Sequence, residues 1–155
     1  MGTQAARRAI LVGGAIGGAL DILFAITWAA INGRTPEWLL QTVATGLLGE
    51  AAYDHGAGGA ALGLAAHFLL SFGWAALYIT AARRFQLLAA KPGFTGPAFG
   101  ILVFFVMRLV VLPLSAFPYP VSFSQPGATY DLLSHMFLFG LPIALASARA
   151  LRRAG

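Results

Sequence analysis

Four stretches of this chain are apolar for long enough to cross a bilayer, which takes about 20 residues of helix. They cover residues 9–32, 58–82, 97–117 and 128–148, and polar residues gather between them. The pattern predicts an all-α, polytopic membrane protein, one domain over residues 1–155 with four transmembrane helices. The first stretch reads as a retained span and not as a cleaved signal peptide, because its apolar run is too long and contains Asp21. Between the first two spans, "TPEWLLQTVATGLLGEAAYDHGAGG" carries a helix start, with Thr35 as N-cap, Pro36 in the first turn and Glu37 at the positive helix end. Trp38, Leu39, Leu40, Val43, Leu47 and Leu48 follow at roughly helical spacing, which predicts a short amphipathic helix, too short to span, that lies at the outer interface or dips back in. The other outer connection, "SAFPYPVSFSQPGATY", is rich in proline and aromatics, and Tyr119, Phe123 and Tyr130 suit a headgroup layer. Together the two connections are expected to form a lid.

Composition agrees with the pattern. The chain is 59% hydrophobic and 10% charged, against about 25% charged in soluble domains. Its net charge of +5 reflects membrane topology and not nucleic-acid binding, since the cations sit at the ends of apolar runs. Arg7 and Arg8 precede the first span, Arg83, Arg84 and Lys91 separate the second from the third, and Arg149, Arg152 and Arg153 follow the fourth. The opposite side holds Arg34, Glu37, Glu50 and Asp54. Positive flanks stay in the cytoplasm, so both termini are expected there. The absence of cysteine excludes disulfides and thiolate chemistry.

Small residues recur four apart: Gly13 with Gly17, Gly14 with Gly18, Gly59 with Gly63, and Gly96 with Gly100. This spacing lets helix backbones approach closely in lipid. It reads as packing within the bundle, while "GGAIGG" in the first span is dense enough to suggest a dimer face. Pro113 and Pro142 are expected to bend or end their helices.

Ionisable groups inside a membrane are costly and mark candidate sites. Asp21, His67, Arg108, Asp131 and His135 all fall at middle or outer depth, which makes a shared polar pocket the expectation. Arg108 cannot deprotonate, and it lies roughly 13 Å from Phe117 along a helix, long for snorkelling. Asp21 is the expected partner, either as a device that fixes helix register or as part of a site. His67 and His135 are open to three readings: neutral imidazoles hydrogen-bonded between helices, members of a proton relay with Asp21 or Asp131, or axial ligands of a haem. Outside the spans, Glu50, Asp54 and His55 form a second acidic cluster, read as a solvated loop or a weak cation site. No metal site is predicted.

"AHFLLSFGWAALYITAARR" from Ala66 and "SHMFLFGLPIALASARALRR" from Ser134 share a histidine after a small residue, a Phe-Gly, an alanine-leucine run and a closing Arg-Arg. A repeat of two hairpins in the same orientation would make His67 and His135 equivalent. The segments "GPAFGILVFF", "LPLSAFPYP", "LLSHMFLFG" and "GLAAHFLLSFGWAALYITAARR" resemble the YagU-like group of small bacterial inner-membrane proteins over spans two to four. The resemblance implies a bacterial inner membrane and a four-span bundle, and it carries no catalytic residue.

No dinucleotide fingerprint, P-loop, HExxH or nucleophile elbow is present, which points away from an enzyme. The first expectation is an accessory or structural subunit of a membrane complex, or a homodimer. The alternative is a small proton-linked transporter using the Asp/His/Arg cluster, and the third is a haem or lipophilic-cofactor binder.

Overall fold

The computed structural model describes residues 3–152; Arg153, counted above among the flanking cations, lies outside them. Helix α1 spans Thr3–Ile31 and α2 spans Pro36–Leu48; a 3-10 stretch, Gly49–His55, leads to α3, Gly56–Arg84. A short α4, Gln86–Ala90, precedes the third span, made of α5 (Pro92–Val106), a π-helical turn (Met107–Val111) and α6 (Leu112–Leu114). The fourth span is α7 (Gly127–Ser134), a second π-helical turn (His135–Gly140) and α8 (Leu141–Arg152). The fold is all-helical among the described residues, with four helices long and apolar enough to cross a membrane. Leu11, Leu23, Leu69, Leu102 and Leu109 point outward from them, an arrangement that suits lipid and not water.

Helix ends follow local chemistry. Helix α1 stops at Gly33, which takes φ +74°. The Gly33 and Arg34 amides then bond back to the Ala30 and Ala29 carbonyls at 3.0 and 2.9 Å, closing a Schellman cap. Helix α2 starts where the sequence predicts, with the Thr35 hydroxyl accepting from the Trp38 amide at 3.1 Å. It packs on the start of α3, where Gly59 and Gly63 lie directly against the Ala52 and Leu40 carbonyls. The Gln41 side-chain amide ties the two by donating to the Gly56 carbonyl at 3.0 Å.

Pro113 and Pro142 each follow a π turn. A proline ring crowds the carbonyl four residues back and offers it no N–H, and widening the turn by one residue relieves both problems. Helix bonding resumes five residues apart, from Leu112 to Met107 and from Leu141 to Met136. The third span ends soon after Pro113, as expected, whereas the fourth runs through Pro142 to Arg152.

Helix α1 lies between α3 and the fourth span, and α5 packs against the fourth span on its other side. Tyr78 and Trp74 of α3 close the square by meeting Phe99 of α5, with ring centroids 4.9 and 6.2 Å apart. Spans one and three therefore occupy diagonal corners. An apolar core of Ala9, Ala75, Ile79, Val103, Phe139, Ile143 and Ala144 fills the half of the bundle nearer the termini. The polar residues gather in the other half.

Candidate functional site

Each of the four spans sends polar side chains into the half of the bundle away from the termini. Counting from that end at ~1.5 Å per residue, Asp131 lies ~6 Å deep, Arg108 ~9 Å, His135 ~12 Å and Asp21 ~15 Å. The groups thus form a ladder and not a ring.

Arg108 lies just below Asp131 near the top of the ladder, on the π turn of span three. Its Nη2 meets Asp131 Oδ2 at 2.7 Å, and Nη1 donates to the Ser122 backbone carbonyl in the following loop. The guanidinium also lies over the rings of Phe104 and Phe123, at 4.8 and 5.6 Å from their centroids. Its Nε is buried with no hydrogen-bond partner. The expected Arg108–Asp21 pair does not form. Spans one and three are diagonal, and the fourth span stands between them, so Asp131 on the adjacent helix reaches the guanidinium first.

His135 links the two carboxylates. Its Nδ1 lies 3.1 Å from Asp131 Oδ1 and 3.8 Å from Asp21 Oδ1, and 2.9 Å from the Asp131 backbone carbonyl one turn back. Asp21 accepts a hydrogen bond from the Ser134 hydroxyl at 2.7 Å, and among the described residues no lysine or arginine lies within ion-pair distance of it. His67 approaches the same region from α3, its Nε2 lying 2.8 Å from the Gly18 carbonyl. One turn below, Ser71 donates to the Gly14 carbonyl at 2.7 Å. Asp21, His67, Ser71, Trp74, Met107 and His135 line a cavity of about 50 Å³. That holds a few water molecules, and it leaves no space for a macrocycle between the histidines, so the haem reading does not fit.

Of the five predicted pocket residues, Asp21, His67 and His135 line the cavity. Arg108 and Asp131 sit above it and join through His135. Sequence reasoning missed Ser134, Ser71 and the Ser122 carbonyl. The signal for Ser134 was present: it adjoins His135 and lies three residues, close to one helical turn, after Asp131.

Close packing positions the ladder. Gly14 and Gly18 face Phe72 and Ser71 of α3, while Gly13 and Gly17 face Ile143 and the Phe139 carbonyl of the fourth span. All four are buried within the chain, so "GGAIGG" offers no glycine face to a second copy. Gly100 lies against the His135 carbonyl and Gly96 against Leu141, which seats α5 on the π turn that carries His135.

The second acidic cluster is separate. Glu50, Asp54 and His55 lie on the 3-10 stretch, and no three His, Cys, Asp or Glu residues converge to hold a metal ion among the described residues. The connection around them touches the second one: the Ala116 amide donates to the Gly46 carbonyl at 3.0 Å. The neighbouring Tyr53 phenol is the main cause raising the Tyr119 pKa above its ordinary value.

Comparison with protein-family models, curated proteins and solved structures finds no match.

Proposed function

We propose that this chain is a multi-pass protein of the bacterial cytoplasmic membrane, both termini inside, that handles a proton within a small transport assembly. Asp21 carries the reading. An ion pair alone answers the charge of Arg108 and needs only Asp131. Asp21 is a further carboxylate within the bundle, hydrogen-bonded by Ser134 and 3.8 Å from an imidazole, on a cavity sized for water. Carboxylates and histidines at membrane depth are the usual parts of proton relays, and histidine titrates nearest neutral pH. The order Asp21, His135, Asp131 offers a path toward the far end, while His67 faces the same waters. Four helices leave too little interior for a solute, so the solute path requires a second copy or a larger complex. The compartment rests on the flanking arginines and on the resemblance of spans two to four to the YagU-like group.

A purely architectural subunit is the competing reading. It is favoured by the Arg108–Asp131 pair, which ties spans three and four in register without any chemistry.

The test uses purified protein in proteoliposomes loaded with a pH-sensitive dye, alongside infrared spectra recorded across a pH titration. The expected result is a protonated-carboxyl band that appears on acidification and is lost in Asp21→Asn, with slower proton entry in Asp21→Asn and His135→Gln. If band and flux are unchanged in Asp21→Asn, or both are absent from the unaltered protein, the architectural reading stands instead.

A further inference from the structure

At the opposite end of the bundle, the start of α1 and the end of α8 enclose a groove of about 460 Å³. Two arginines, Arg8 from α1 and Arg149 from α8, stand on its walls with Gln4, and Ala9, Val12 and Ala146 continue it along the bundle. Among the described residues no acidic side chain answers these charges nearby: the five are Asp21, Glu37, Glu50, Asp54 and Asp131, and every ion pair lies in the far half. Helix α1 has 29 residues, or ~43 Å at ~1.5 Å each, against about 30 Å of hydrocarbon. Its first turns therefore emerge into the headgroup layer, and Arg8, on the second turn, sits at phosphate depth.

We propose that this groove binds an anionic phospholipid, its phosphate held between Arg8 and Arg149 and an acyl chain lying along Ala9, Val12 and Ala146. The charges select the occupant. Guanidinium forks match phosphate oxygens, and basic pockets between membrane helices suit anionic headgroups. The alanines supply the shape, because a larger side chain at those positions would fill the channel. The site is independent of the proton ladder, which lies in the other half of the bundle.

Native mass spectrometry of the purified full chain, released from micelles containing phosphatidylglycerol or phosphatidylcholine, tests it. One phosphatidylglycerol is expected to remain bound, and inorganic phosphate alone is not expected to compete for it. The double variant Arg8→Gln/Arg149→Gln should bind it roughly thirtyfold more weakly, a factor of about five per arginine. The control Arg83→Gln/Arg84→Gln, which removes an equal charge at the end of α3, should bind normally. Equal loss in both double variants would mean diffuse surface attraction and would overturn the proposal. So would equal retention of phosphatidylcholine, or displacement by phosphate alone.

Discussion

Asp131 and Asp21 are both carboxylates in the same half of the bundle, but they stand in different relations to charge, and substitution should separate them. Asp131→Asn leaves Arg108 without its counter-charge while the guanidinium stays in place, against Phe104 and the Ser122 carbonyl. Asp131 is partly exposed, so the expected loss of stability is moderate, roughly 1–3 kcal/mol in chemical unfolding. Replacing both members, Arg108→Met with Asp131→Leu, should recover most of that loss, because an apolar pair leaves no stranded charge. Asp21→Asn keeps the shape and the Ser134 hydrogen bond, so its unfolding midpoint should move by less than about 1 kcal/mol. A larger loss at Asp21 than at Asp131 would contradict the pairing described above.

Among the elements, the seat of α5 on the fourth span is the sharpest test of packing. A methyl group at Gly100 would strike the His135 backbone carbonyl, and one at Gly96 would come 2.7 Å from the Leu141 Cα. Backbone cannot turn aside as a side chain can, so Gly100→Ala is expected to destabilise by about 1–3 kcal/mol. Gly73→Ala is the matched control. Nothing lies within 4 Å of its added methyl, and the helix should be unchanged or firmer by up to about 1 kcal/mol. Pro142 offers a second test. Without its ring the π turn over His135–Gly140 is free to tighten to α-helix, which rotates His135 relative to α8. Pro142→Ala should keep the protein folded and perturb the imidazole resonance of His135 in NMR spectra, whereas an unmoved resonance would mean that packing against α5 and not the proline holds the turn.

The whole molecule has an orientation that charge alone predicts. The chain lacks cysteine, so single cysteines report cleanly. With both termini in the cytoplasm, Ser124→Cys in the second long connection should react with an impermeant maleimide added outside intact cells. Gln86→Cys, beside Arg83 and Arg84, should react only after lysis. The reverse pattern would place the polar ladder nearer the cytoplasm and the arginine groove outside.

Helix type, the number of helices long and apolar enough to span, the cap at Thr35 and the position of the ionisable residues along their helices were all legible in the chain, because each depends on neighbours within a few turns: apolar length and an N-cap residue. Much of the ladder was legible for the same reason, since residues of similar depth on separate helices have to face either one another or lipid. The partner of Arg108 was decided by tertiary structure alone. Depth pointed to Asp21, but the square bundle sets spans one and three diagonally and brings Asp131 alongside on an adjacent helix. The π turns before Pro113 and Pro142 then fix which way Arg108 and His135 point. A sequence records how far along a helix a charge lies; which face meets which neighbour is settled only when four helices pack at once, because each helix must bury its small residues against a different partner.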